Sequence, residues 1–194
     1  QLPKDFQSEL TVTRHYVPRH QPLAYTNGVQ LSYVEVDVET GFVKLLGHWV
    51  AEDCGRIINP MLVDEQVRGG IVQGIGAALY EHCLYSPEGQ LLNGNLADYL
   101  VPMAGEMPDI VVGHVSTPTK TSELGAKGAG EAGTAGAPGA VMNAINDALA
   151  PLGVSITRLP ATPARIVALL DAARGQVAGV APEKQKGLIP DGWF

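Results

Sequence analysis

Residues 29–51 read VQLSYVEVDVETGFVKLLGHWVA. Two runs rich in β-branched and aromatic residues flank Glu39-Thr40-Gly41, and such runs joined by a short glycine-bearing turn predict an antiparallel β-hairpin. A hairpin here, with helical patterns elsewhere in the chain, points to an α+β fold rather than alternating βα units. Further strands are expected at 9–16, 108–115 and 154–158.

Downstream of the hairpin, Asn59-Pro60 opens a helix, since proline suits the first helical position. Val63, Val67, Ile71, Ile75 and Leu79 then form an i,i+4 ladder that carries the helix to about Tyr80. Pro138 is expected to open a second helix, with Val141, Met142, Ile145, Ala148 and Leu149 on its apolar face. Pro151 and Gly153 stop it. A third helix is expected from Pro163 to Ala173. Residues 1–174 are read as one structural portion and 175–194 as an extended tail.

Composition narrows the function. The 194 residues are enough for a sizeable core, and 23 glycines with 14 prolines favour a loop-rich architecture over a helical bundle. A net charge of −7 argues against nucleic acid or an anionic membrane as partner. No apolar stretch is long enough to span a bilayer and no signal-peptide pattern opens the chain, so a cytoplasmic setting is expected. Cys54 and Cys83 lie in no metal-ligand spacing and no disulfide framework, which fits thiols in a reducing compartment. The first residue is Gln1, which leads us to expect a fragment, a processed product or an excised domain.

Two glycine-rich stretches carry the chemistry. In the first helix, Gly69, Gly70, Gly74 and Gly76 each cost about 0.8–1 kcal/mol relative to alanine. At about 100° per residue, Gly69, Gly70, Gly76 and Ala77 fall on the side centred on Gln73, opposite the apolar ladder. A carboxamide on a bare backbone suits a flat heterocycle with several polar atoms. Close helix packing is the commoner reason for helical glycine.

The second stretch, GAKGAGEAGTAGAPGA at 125–140, carries only Lys127 and Glu131 as charges. Its match to G-x-G-x-x-G is not a dinucleotide fingerprint, because no apolar strand precedes it and Glu131 would repel a pyrophosphate. Three readings of Glu131 compete. It pairs with Lys127 on the surface, it braces the backbone, or it is a general base at the floor of a pocket that glycine keeps open.

The order DCGRIINP (53–60), VRGGIVQGIGAALYE (67–81), SPEGQLLNGNLADYLVPMAGEMPDI (86–110) and GAKGAGEAGTAGAPGAVMNAINDAL (125–149) resembles the C-terminal part of the molybdenum hydroxylase large subunit. That is the xanthine dehydrogenase, aldehyde oxidase and aerobic carbon monoxide dehydrogenase family, and the resemblance covers roughly residues 9–174. It implies a molybdenum–pterin cofactor, with cytosine dinucleotide in bacterial members. The reaction it implies is hydroxylation of an electron-poor carbon (an aldehyde, an N-heterocycle or carbon monoxide) with water-derived oxygen. Electrons would leave through [2Fe-2S] and FAD groups on partner subunits or domains.

By the same resemblance Glu131 matches the catalytic base, and Gln73 and Gly74 are expected to bind the cofactor. Gly130 matches the position whose backbone lies closest to the metal, and Lys127 sits in the motif as cofactor contact or ion pair. No protein side chain here is expected to ligate the metal. The partners implied are the remainder of the large subunit, the iron–sulfur and flavin subunits and a small-molecule substrate. The chain alone is expected to be inactive. The alternative is a non-catalytic interaction fragment of the same fold.

Overall fold

The hairpin forms where the sequence places it. Strand β1 (Asn27–Val36) pairs antiparallel with β2 (Val43–Asp53). Between them the Asp37 carboxylate accepts the backbone N–H groups of Glu39 at 2.8 Å and Thr40 at 3.3 Å. Gly41 closes the turn at a left-handed φ of +73°, a conformation glycine adopts without steric cost. The computed structural model describes residues 11–17 and 23–175. Within them a third strand, β3 (Ile110–His114), adds parallel to β2 and gives a mixed sheet in the order β1-β2-β3.

One irregularity in the pairing re-aims side chains. Tyr33 faces Gly47 and Val34 faces Leu45, so Leu46 is an extra residue on β2. A bulge of this kind shifts the in–out alternation of the strand that carries it. The buried row of β2 therefore runs Glu52, Val50 and His48 and then switches to Leu45. On β1 the row turned away from the core is Val29, Leu31 and Tyr33, all exposed. It continues across the sheet through Trp49, opposite Leu31, and Val111, opposite Trp49.

Helix α1 (Pro60–Leu79) starts at Asn59, whose side chain accepts the Leu62 N–H at 3.3 Å, with Pro60 in the first helical position. Its ladder Val67, Ile71, Ile75 and Leu79 is buried. Helix α2 (Ala132–Leu149) presents Ala137, Val141, Ile145 and Leu149 at the same i,i+4 spacing. Helix α3 (Pro163–Ala173), capped by the Thr162 side chain on the Arg165 N–H, adds Ile166 and Leu170. Together with Leu45 and Val50 these residues make one core between the helices and the sheet, and the class is α+β.

Three expected elements differ. Helix α2 opens at Ala132, and Pro138 lies inside it. The reason is the contact with α1. A Cβ on Gly133 would collide with the Val67 carbonyl, and one on Gly70 would sit 3.1 Å from the Thr134 nitrogen. Packing between the two backbones thus makes a helix of a segment whose propensity is poor. The strand expected at 154–158 is absent. Val154 and Ile156 are buried, but the Ile156 N–H and C=O are both taken by the Asn146 carboxamide, at 2.8 and 3.0 Å, instead of a ladder.

The expected 9–16 strand is also missing where it can be seen, since residues 11–17 are exposed and form no strand. Its first residues and the tail after Gly175 lie outside the described residues. Among the described residues no helix is long and apolar enough to cross a membrane.

Candidate functional site

Glu131 stands at the N-cap position of α2, exposed, and its carboxylate is not spent on a capping hydrogen bond. Its backbone is held from both sides. The Gly130 carbonyl accepts Gln66 Nε2 of α1 at 2.7 Å, and the Gly133 carbonyl accepts Gln30 Nε2 of β1 at 2.9 Å. The Glu131 carbonyl itself accepts the Thr134 and Ala135 N–H groups at 3.1 and 3.4 Å, which starts the helix. A free carboxylate on an immobilised backbone results.

Gln73 comes to the same corner. Its Oε1 accepts the Thr134 hydroxyl at 3.3 Å, and its Nε2 makes no hydrogen bond among the described residues. The bare face around it is narrower than the helical projection implies. Gly69, Gln73 and Ala77 are exposed, but Gly70 packs on α2 and Gly76 lies against Glu81 and Pro102. Gly74 is buried, with an added Cβ only 2.7 Å from Ala137 Cβ, so it serves the helix contact. At Gly69 and Gly130 an added Cβ would meet nothing within 4 Å. Backbone is open to approach at those two points.

Lys127 is a strut. Its Nζ lies 3.1 Å from Asp53 Oδ2 with both side chains nearly buried, and 3.3 Å from Asn27 Oδ1. Its backbone N–H bonds the Cys54 carbonyl at 2.9 Å, and the Gly128 N–H bonds the Ala24 carbonyl at 2.7 Å. These contacts tie the loop before Glu131 to the end of β2. Hydrogen bonds from Thr117, then from the Gly55 N–H and Lys127, hold the Asp53 carboxyl well below the usual carboxylate range. A cavity of about 420 Å³ is lined by Tyr25, Ser122 and Lys127 among others. Neither Glu131 nor Gln73 lines it, so their corner is an open face and not that cavity.

The donor set fits a heterocyclic cofactor. Among the described residues no three His, Cys, Asp or Glu side chains gather as a metal site, and Cys54 and Cys83 are free thiols. What the corner offers is the unbonded Nε2 of Gln73, open backbone at Gly69 and Gly130, and one carboxylate. A pterin with donors and acceptors around its ring matches the first two. Sequence reading missed Gln66, Gln30 and His48. The signal available was polar residues, Gln30 and Ser32, alternating with apolar ones on β1.

Residues 5–108 match the family model described as the molybdopterin cofactor-binding domain. Over 165 residues the chain is 42% identical to the nicotine 6-hydroxylase large subunit of Paenarthrobacter nicotinovorans, a stretch that is 85% of this chain and 20% of that protein. It is 32% identical over 166 residues to the carbon monoxide dehydrogenase large chain of Hydrogenophaga pseudoflava, with coverage of 86% and 20%. The crystal structure of quinoline 2-oxidoreductase from Pseudomonas putida 86 superposes with a TM-score of 0.69 at 44% identity, covering 71% of this chain and 18% of that one. The chain belongs to the molybdenum hydroxylase large-subunit family, within its molybdopterin cofactor-binding domain. It spans about a fifth of the length of the curated relatives it matches.

Proposed function

We propose that this chain forms one wall of the active site of a molybdenum hydroxylase acting on an electron-poor carbon, with Glu131 as the general base. The observation that carries the proposal is the unspent Glu131 carboxylate on a backbone clamped through the carbonyls of Gly130 and Gly133, with Gln73, its Nε2 unbonded, held by Thr134 three residues further along the chain. The molybdenum–pterin group, in its cytosine dinucleotide form, supplies two-electron redox chemistry when bound. Gln73 Nε2 would donate to the cofactor, and the open backbone at Gly69 and Gly130 would leave room for it. Gly74 and Lys127 act behind this face, the first by keeping α1 on α2 and the second by anchoring the loop. A Glu131 carboxylate oxygen takes up the proton given off as water-derived oxygen adds to the substrate carbon, a role worth about 10²–10⁴ in rate.

The face is open, so other protein must close it. The remainder of a large subunit is the partner this reading requires, and the apolar sheet face of Val29, Leu31, Tyr33, Trp49 and Val111 is the kind of surface such a partner covers. Iron–sulfur and flavin groups on further subunits or domains would carry the electrons away. The matches at 42% and 44% identity are named for nicotine and quinoline, both N-heteroaromatics, whereas the carbon monoxide enzyme stands at 32%. An N-heteroaromatic substrate is favoured on that ground.

The test is Glu131→Gln in the assembled enzyme, assayed on nicotine, quinoline, an aldehyde and carbon monoxide. Turnover should fall by about 10²–10⁴ with molybdenum content unchanged. Turnover equal to the parent enzyme would remove Glu131 from the mechanism. The exposure of Glu131 and Gln73 favours the alternative of a non-catalytic fragment. Absence of molybdenum from the natively purified complex would decide for it.

A further inference from the structure

A buried polar chain runs from the sheet to the first turn of α2. Ser32 Oγ lies 2.9 Å from His48 Nδ1, His48 Nε2 lies 3.1 Å from Gln30 Oε1, and Gln30 Nε2 donates to the Gly133 carbonyl at 2.9 Å. His48 is fully buried and Ser32 nearly so, at 0% and 7% exposure. The direction of the chain follows from its last link. Because the Gln30 amide NH₂ is spent on a carbonyl, its oxygen faces His48, which must then carry its proton on Nε2. His48 Nδ1 is left as the acceptor of the Ser32 hydroxyl. Burial pushes the His48 pKa down, so the ring stays neutral and holds this tautomer.

These groups make an unusual core lining. Their positions on β1 and β2 are ones an apolar side chain would fill, while Val29, Leu31 and Tyr33 are left outside. The receiving helix is shaped for the chain's end. An added Cβ on Gly136 would sit 3.0 Å from both Cδ and Nε2 of Gln30 and 3.2 Å from its Cγ. The Gln30 side chain therefore lies flat along α2 where that helix has no side chain. Removing the chain would leave a carbonyl two residues past Glu131 with one fewer restraint.

We infer that Ser32, His48 and Gln30 form a relay of positioning residues that fixes the first turn of α2 and, through it, the placement of the Glu131 carboxylate. The inference rests on the reading of Glu131 as the base. Gln30 touches no reacting atom. It sets the Gly133 carbonyl, as Gln66 sets that of Gly130, and His48 prevents the Gln30 amide from turning over. A displacement of about 1 Å at a catalytic group can cost about 100-fold in rate, so a restraint of this kind has consequences.

The experiment compares three variants of the assembled enzyme on quinoline: Gln30→Leu, Gly136→Ala and Glu131→Gln. Gln30→Leu removes the hydrogen bonds to the Gly133 carbonyl and to His48, together with the Gln30 contact to the buried Glu52 carboxylate, at similar volume. Gly136→Ala removes no polar group but presses on Gln30, while raising intrinsic helix propensity. For both, kcat should fall by roughly 10- to 100-fold with KM little changed, and amide hydrogen exchange across residues 130–136 should accelerate with molybdenum content intact. In Gly136→Ala the fall in kcat and the faster exchange should exceed what any change in melting temperature accounts for, which a merely structural role would not produce. Parent-like kcat and exchange in both variants, with Glu131→Gln inactive, would overturn the relay and leave the base in place. Activity retained in Glu131→Gln would instead overturn the reading on which the relay rests.

Discussion

Gly133→Ala tests whether the glycine run is there for helix contact. In an isolated helix this change would be favourable by about 0.8–1 kcal/mol. Here the new methyl would run into the Val67 carbonyl and stand 2.7 Å from the Ile71 nitrogen. Both are backbone atoms of α1 and cannot swing aside as a side chain would. Relief therefore requires α1 and α2 to separate, which loosens the facing rows Val67–Ile71 and Ala137–Val141. Overpacking of this kind costs about 1–3 kcal/mol or more, so the steric term offsets or exceeds the propensity gain. Gly139→Ala is the internal control, because a Cβ there meets nothing within 4 Å in the same helix. Thermal unfolding should place Gly133→Ala below the parent and Gly139→Ala at or above it. At about 2–4 °C per kcal/mol for a chain of this size, the two should be separated by several degrees. Equal melting temperatures for the two variants would refute the claim that backbone contact with α1 demands glycine at 133.

Other expectations follow from individual contacts. For Asp53, whose carboxyl is held below its ordinary 3.8, the stabilisation is present above that pH and lost as pH falls through the folded value. The melting-temperature gap between parent and Asp53→Asn should accordingly narrow below about pH 4, and a constant gap would show that the carboxylate charge is irrelevant. Tyr99 donates to Glu81 Oε2 at 2.7 Å, and this hydrogen bond pushes its phenol up to about 12. Tyrosinate absorbance should show a titration near that pH that is missing in Tyr99→Phe; its stabilising contribution is present below pH 10 and disappears as the phenol ionises. If the spectra of parent and variant differ only near pH 10, the hydrogen bond does not persist in solution.

Much of this architecture is legible in the sequence because the local signals agree. The hairpin at 29–51, the cap at Asn59-Pro60 and the helix from Pro163 each rest on chemistry confined to a few residues. The failures share a different cause. Pro138 reads as a helix start, yet α2 begins at Ala132 because a partner helix accepts its bare backbone. Val154 and Ile156 look like strand and are buried like strand, but the Asn146 side chain supplies the hydrogen bonds a neighbour would have made. For the site, Glu131, Gln73 and Lys127 stand out because they interrupt runs of small residues, whereas Gly130 is singled out only by the family resemblance. Gln30, Ser32 and His48 do not, since alternation assigns the apolar row Val29, Leu31, Tyr33 to the core and the structure puts it outside.

The two glycine-rich stretches answer one requirement from opposite sides. Gly70 and Gly74 let α1 approach α2, and Gly133 accepts that approach. The same closeness carries Gln66 and Gln73 of α1 to Gly130 and Thr134, on either side of Glu131. Bulk at any of those glycines would separate not only two helices but also the carboxamides from the Gly130 carbonyl and the Thr134 hydroxyl they hold on either side of Glu131 in the chain. A helix contact whose only role was stability could have been built from alanine and leucine at lower cost to helix propensity. The use of glycine on both surfaces makes sense if what must be kept is the short distance itself. On that view helix packing and site geometry are one constraint, and a substitution that widens the α1–α2 contact should lower turnover before it unfolds the chain.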